Sequence, residues 1–124
     1  MTAKVLLVDD EQDYLDIMAE RMEARGMDVA TTTSAEGALQ MIQAESYDAV
    51  IMDFLMPEMD GFKALKLVKE TQPDLAVILL TANVREEERV EARKLGAMDI
   101  IEKPADLNLL TQKIEEAQAL KRED

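Results

Sequence analysis

Three carboxylates, one hydroxyl and one amine stand at the ends of strand-like segments in this sequence. Asp9 and Asp10 directly follow the run at residues 5–8, and Asp53 follows the run at 49–52. Thr81 follows residues 75–80, and Lys103 follows residues 97–102. Three carboxylates brought within a few ångströms repel one another, at a cost of several kcal/mol unless a cation or a proton intervenes. Lys103 offsets one charge. A hard divalent cation would offset the rest, and an all-oxygen donor set favours magnesium, or manganese, over zinc. The sequence has no His and no Cys, the residues that suit zinc. With His goes the commonest general base, so the nucleophiles left are carboxylates, hydroxyls and Lys. Each residue also has a plainer reading: Asp10 as a helix cap, Asp53 as a turn former before Pro57, Thr81 as a cap of the next helix, Lys103 as a solvated side chain. Taken together, those readings need four coincidences at one place.

The elements that bring them together are legible as alternating strand and helix signals. The continuous apolar runs at 5–8, 49–52 and 75–80 read as buried strands. Met27, Val29 and Thr31 alternate with other residues, as in a strand with two unlike faces, and residues 97–102 form a fifth strand. Helices are expected over 10–25, closed by Gly26, and from a Ser34 cap through 42. Further helices are expected over 62–70, over 85–95 ended by Gly96, and over 107–120. Such alternation implies right-handed crossovers and a parallel sheet with helices on both faces. The uniformly apolar strands suit the centre of the sheet. The second strand carries Asp28 and the fifth carries Asp99 and Glu102, which suits edges. The predicted fold is therefore α/β: a flavodoxin-like, doubly wound parallel sheet of five βα units in the order 2-1-3-4-5. Ligands bind such sheets outside the carboxyl ends of the strands, where the chain reverses its direction of winding, here between strands 1 and 3. Asp9, Asp10 and Asp53 all fall there.

A chain of 124 residues fits a single domain spanning 1–124, structured over about 4–120 with a frayed tail at 121–124. There are 27 acidic and 14 basic residues and a formal net charge of −13. That balance speaks against direct nucleic-acid binding and against an anionic membrane surface. The apolar runs are too short for a membrane span, and the N-terminus lacks the apolar core of a signal peptide, so a cytoplasmic location is expected.

At this point the sequence resembles the receiver domains of bacterial two-component response regulators, chemotaxis-regulator-like. The matching segments are Val5-Leu6-Leu7-Val8-Asp9-Asp10-Glu11 and Asp53-Phe54-Leu55-Met56-Pro57-Glu58-Met59-Asp60-Gly61. Leu80-Thr81-Ala82 and Glu102-Lys103-Pro104 follow at suitable intervals, so the likeness covers essentially the whole chain. The resemblance implies that Asp53 is the phosphoacceptor in a magnesium-dependent signalling switch, not an enzyme with turnover. It implies that Asp10 binds Mg2+ directly, Asp9 mostly through water, and that Asp53 and the Leu55 backbone carbonyl complete the protein ligands. Thr81 would donate its hydroxyl to the phosphoryl group, Lys103 would pair with a phosphoryl oxygen, and Lys103-Pro104 would be a cis peptide. The implied donor is a phosphohistidine on a sensor histidine kinase or a histidine phosphotransfer protein. The implied readers are a downstream protein target and, on phosphorylation, a second copy of the chain. One position departs from the family: Ile100 stands where an aromatic switch residue is usual, and its favoured reading is as an ordinary edge-strand packing residue.

The helix over 85–95 has few large apolar anchors beyond Val90 and Leu95, which predicts low local stability. It is expected to shift on phosphorylation, altering the surface it shares with the fifth strand and last helix. Rival readings are weaker. A haloacid-dehalogenase-type phosphatase needs a second Asp two residues after the nucleophile, and Asp9-Asp10-Glu11 has the wrong spacing. A dinucleotide or flavin binder needs a Gly-rich turn after strand 1. A pseudo-receiver that docks without phosphorylation would not need the full Asp, Thr and Lys set. Whether the chain is a whole single-domain regulator or a receiver from a longer protein is left open.

Overall fold

A computed structural model describes residues 2–57 and 59–123, with the side chains of 122 and 123 left aside. The first half runs β1 (Lys4–Val8), α1 (Gln12–Glu23), β2 (Asp28–Thr32), α2 (Ala35–Ala44) and β3 (Ala49–Asp53). Two short strands, β4 (Leu55–Met56) and β5 (Met59–Asp60), precede α3 (Gly61–Thr71). The second half is β6 (Ala76–Thr81), α4 (Glu86–Lys94), β7 (Asp99–Glu102) and α5 (Leu107–Glu123). The main sheet is parallel throughout, in the order β2-β1-β3-β6-β7. That is the expected 2-1-3-4-5 order and the flavodoxin-like fold.

Alternation along the central strands sends side chains to two cores. Leu6, Val8, Val50, Met52, Val77 and Leu79 join α2, α3 and α4 on one face. Val5, Leu7, Ala49, Ile51, Ile78 and Leu80 join α1 and α5 on the other. Because both faces are covered, β1, β3 and β6 are apolar at nearly every position. Gly26 and Gly96 have φ of 92° and 102°, so the chain leaves α1 and α4 through the left-handed region, as expected at both places. Ser34 caps α2 as expected, accepting the Gly37 N–H at 2.9 Å. Among the described residues, no helix is long and apolar enough to cross a membrane.

The structure adds to or departs from the sequence reading in four places. α1 begins at Gln12 rather than at residue 10, and Asp10 lies outside it, exposed; the carboxylate that takes a backbone N–H at this end is Asp9's, from Glu11. The stretch after Asp53 is not a simple turn: β4 and β5 pair antiparallel, and the Asp60 carboxylate caps α3 by accepting the Lys63 N–H. Here Gly61 is required, since a Cβ would lie 2.3 Å from a Phe54 ring carbon and 2.7 Å from the Phe54 carbonyl. The expected tail at 121–124 is helical as far as Glu123, and the Lys121 ammonium bonds the Ser46 hydroxyl and the Tyr47 carbonyl. Asp124 lies outside the described residues.

The fourth place is Asp99. β7 is an edge strand, but Asp99 is buried rather than solvated. Arg89 Nη1 and Arg93 Nη2 of α4 lie 2.9 Å and 3.5 Å from its Oδ1, and Lys113 Nζ of α5 lies 3.4 Å from Oδ2. Burial pushes the Asp99 carboxyl up, but the Ile100 N–H, Lys113 and Arg89 outweigh it and hold it below its ordinary value. Its stabilising effect is therefore present above the unfolded pKa and lost as pH falls through the lower folded value. This matters because Ala92 is the one buried residue of α4. Asp99→Asn is expected to destabilise the fold by about 1–2 kcal/mol near neutral pH, below the range for a fully buried pair because its cations are partly solvated. Urea melts read the loss, and amide exchange should speed first within α4; unchanged protection there would show that α4 does not depend on this carboxylate.

Candidate functional site

After β1 the chain turns to the α1 face of the sheet, and after β3 to the opposite face. The crevice this opens at the strands' carboxyl ends is where the carboxylates stand. Asp9 directly follows β1 and is 2% exposed. Its Oδ1 accepts the Glu11 N–H at 2.9 Å, and its Oδ2 accepts from Lys103 Nζ at 2.9 Å. Asp53, the last residue of β3, is also buried, and Asp10 is exposed at the mouth. One oxygen from each of Asp9, Asp10 and Asp53 lies within 4.8 Å of the others.

Lys103 follows β7 and completes the group from across the sheet. Its N–H donates to the Thr81 carbonyl at 2.7 Å, which ties the ends of β6 and β7 together. Its ammonium lies 3.5 Å from Asp53 Oδ1, further than from Asp9. The Lys103–Pro104 peptide is cis. Thr81 ends β6 and is buried, and the Phe54 N–H bonds the Leu80 carbonyl at 2.7 Å, fixing the chain just past Asp53. Leu55 opens β4, and its backbone N–H favours the ionised form of the Asp53 carboxylate. Ile100 is fully buried in the core beneath α4, and its carbonyl accepts from Arg89 at 3.1 Å, as a packing residue would.

Burial pushes the Asp53 carboxyl up; Lys103 pulls it back, Asp9 pushes it further, and the Leu55 N–H pulls it down, leaving it above its ordinary value. Burial pulls the Lys103 amine down, but the Asp9 hydrogen bond and the charges of Asp53 and Asp9 more than reverse this, so it stays an ammonium. Both directions follow from one asymmetry. The ammonium leans on Asp9, and Asp53 is left the less compensated carboxylate. Such a carboxylate carries negative charge in search of an electrophile or a cation. Three hard oxygen donors with no softer ligand among them fit a divalent cation of the magnesium type.

Sequence reasoning overlooked Tyr14, whose ring centroid lies 4.7 Å from Lys103 Nζ. It stands at the third position of α1 beside Leu15, Met18 and Met22, the helix's buried stripe, so spacing alone reads it as core.

The family model described as response regulator receiver domain matches residues 5–115. The response regulator SaeR of Staphylococcus epidermidis is 40% identical over 100 residues, covering 81% of this chain and 43% of that protein. The regulatory protein AtoC of Escherichia coli is 37% identical over 128 residues, covering 99% of this chain and 28% of its own length. The chain thus spans less than half the length of these curated relatives. Among solved structures, a response regulator receiver domain protein from Clostridium thermocellum superposes with a TM-score of 0.90 at 32% identity, covering 97% of both chains.

Proposed function

The chain belongs to the response regulator receiver domain family, and from that premise we propose that it is a phosphoacceptor switch using Asp53. The observation that carries the reading is the convergence of Asp9, Asp10 and Asp53 within 4.8 Å around an ammonium shared by Asp9 and Asp53. A carboxylate oxygen of Asp53 attacks the donor's phosphorus. The bond from phosphorus to the donor's imidazole nitrogen breaks, and its electron pair returns to the imidazole. The product is an acyl phosphate, labile as a decaying signal must be. Such transfers depend on alignment and on charge stabilisation of the equatorial oxygens. Lys103 pairs with one of those oxygens, and the Thr81 hydroxyl donates to another. Asp9, Asp10, Asp53 and the Leu55 carbonyl are the groups that would hold Mg2+, or Mn2+. When bound, that ion supplies further positive charge to the phosphoryl oxygens.

The donor in this reading is a sensor histidine kinase or histidine phosphotransfer protein, since the chain contains no His of its own. The chain has no turnover beyond gain and loss of its own phosphoryl group, and works in the cytoplasm. Its readers are a downstream protein or a second phosphorylated copy. They meet the face of α4, β7 and α5, where α4 has one buried residue and two ion pairs to Asp99. Exposure to acetyl phosphate with magnesium should add one phosphoryl group by intact mass, and a chelator should prevent it. A chain that gains no mass under these conditions does not work in this way.

A further inference from the structure

Lys103 has three neighbours at the site, and only two are carboxylates. Its ammonium lies 2.9 Å from Asp9, 3.5 Å from Asp53, and 4.7 Å from the centroid of the Tyr14 ring. We propose that Tyr14 is a positioning residue for phosphoryl transfer: its ring face holds the Lys103 ammonium within reach of Asp53. The inference rests on the phosphoacceptor reading above and assigns a role to a residue outside the Asp, Thr and Lys set.

A lysine ammonium is a point charge on a flexible four-carbon stem. With Asp9 as its nearer partner, electrostatics alone would draw it towards that carboxylate. The face of an aromatic ring attracts a cation through its quadrupole, and does so more strongly where water is excluded. The Lys103 side chain is 22% exposed, so this contact is partly desolvated. The ring also uses none of the ammonium's N–H directions in a conventional hydrogen bond. They remain for Asp9, and for whatever oxygen arrives at Asp53.

Two features set Tyr14 apart from an ordinary core residue. The buried residues of α1 are Leu15, Met18 and Met22, whereas Tyr14 is only partly buried and lies at the end of the helix nearest the site. Its hydroxyl is buried with no hydrogen-bond partner among the described residues. The tie between Tyr14 and Lys103 is thus through the ring face, and a phenyl ring should serve as well.

The test compares wild type, Tyr14→Phe and Tyr14→Leu, each confirmed folded by circular dichroism at the assay temperature. Two readings are taken: the rate of phosphoryl uptake from acetyl phosphate with saturating magnesium, and the Lys103 side-chain methylene proton shifts without donor. Tyr14→Leu should slow uptake by roughly tenfold, the size of a partly desolvated cation–π contact, with magnesium affinity within about twofold. It should also remove the upfield ring-current shift of the Lys103 methylenes. Tyr14→Phe should restore both readings to wild type. An active wild type whose Tyr14→Leu variant reacts equally fast overturns the positioning role alone. A Tyr14→Phe variant as slow as Tyr14→Leu overturns it too, by assigning the effect to the hydroxyl. A wild type that takes up no phosphoryl group overturns the phosphoacceptor reading and this inference together.

Discussion

Asp53→Asn is expected to take up no phosphoryl group from acetyl phosphate and magnesium, and to be more stable than wild type when metal is chelated at neutral pH. The first effect is absolute, because the amide oxygen is too poor a nucleophile to form the acyl phosphate. The second follows from crowding. Asp53 is buried beside Asp9 and Asp10, and its nearest cation prefers Asp9. Two unit charges about 4 Å apart repel by about 4 kcal/mol at an effective dielectric of about 20. The partial attraction of Lys103 offsets most of that, leaving a net gain of about 1 kcal/mol on neutralising Asp53. For a chain of this size, that is a rise in Tm of about 4 °C. The gain should depend on pH. Because the Asp53 pKa is raised on folding, the native chain holds that proton more tightly than the unfolded one. The stabilisation this gives is complete below the unfolded pKa, near 3.9, and disappears as pH rises through the higher folded value. The Tm gap between variant and wild type should therefore shrink on acidification through that window, and close at neutral pH when magnesium is added. Calorimetry in chelator and in magnesium reads both; a variant that melts below wild type in chelator at neutral pH would refute the crowding.

The other large effect is expected from Lys103→Ala. Removing one preorganised donor from a site that stabilises developing charge costs about 10²–10³ in rate, and phosphoryl uptake should fall by that factor. Magnesium binding should persist, because the three carboxylates remain and no longer share their charge with an ammonium. The metal-free variant should lose stability, since Asp9, 2% exposed, keeps the Glu11 N–H but loses its cation. Magnesium should return that stability. Beryllofluoride is expected to change amide exchange across residues 84–100 of wild type, and to change it little in this variant. Uptake at the wild-type rate would remove Lys103 from the chemistry, and loss of magnesium binding would make its role structural.

The sequence revealed most where one physical rule dominated. Continuous apolar runs mark strands covered on both faces, and β1, β3 and β6 are those strands. Polar residues directly after such runs must emerge at the sheet's carboxyl edge, which brings Asp9, Asp10, Asp53 and Thr81 to one end of the molecule, where Lys103 joins them from the end of the edge strand β7. Reading failed where tertiary contacts overrode local pattern. Asp99 suited an edge strand, because the three cations that gather on it from the two flanking helices are invisible to periodicity. β4 and β5 are two residues each, too short for alternation to show. The last turn of α5 looked like a polar tail, but Lys121 is secured by Ser46 and Tyr47 from the other half of the chain. Tyr14 was hidden because a helix position beside a buried stripe reads as packing, and only the arrival of Lys103 over its face gives it another use.

The opposing charges of the centre are mounted on unequal supports. Asp9 and Asp53 rise from β1 and β3, each hydrogen-bonded to a strand on both flanks. Lys103 rises from the four-residue β7, which has a neighbour on one flank only. Stiffness is thus concentrated under the acids and compliance under the base. If the demand for charge at Asp53 changes, the ammonium and its strand are expected to yield before the carboxylates. At its far end the same short strand carries Asp99, the fastening point of α4. β7 thus joins the carboxylate centre at one end to α4, a helix with a single buried residue, at the other.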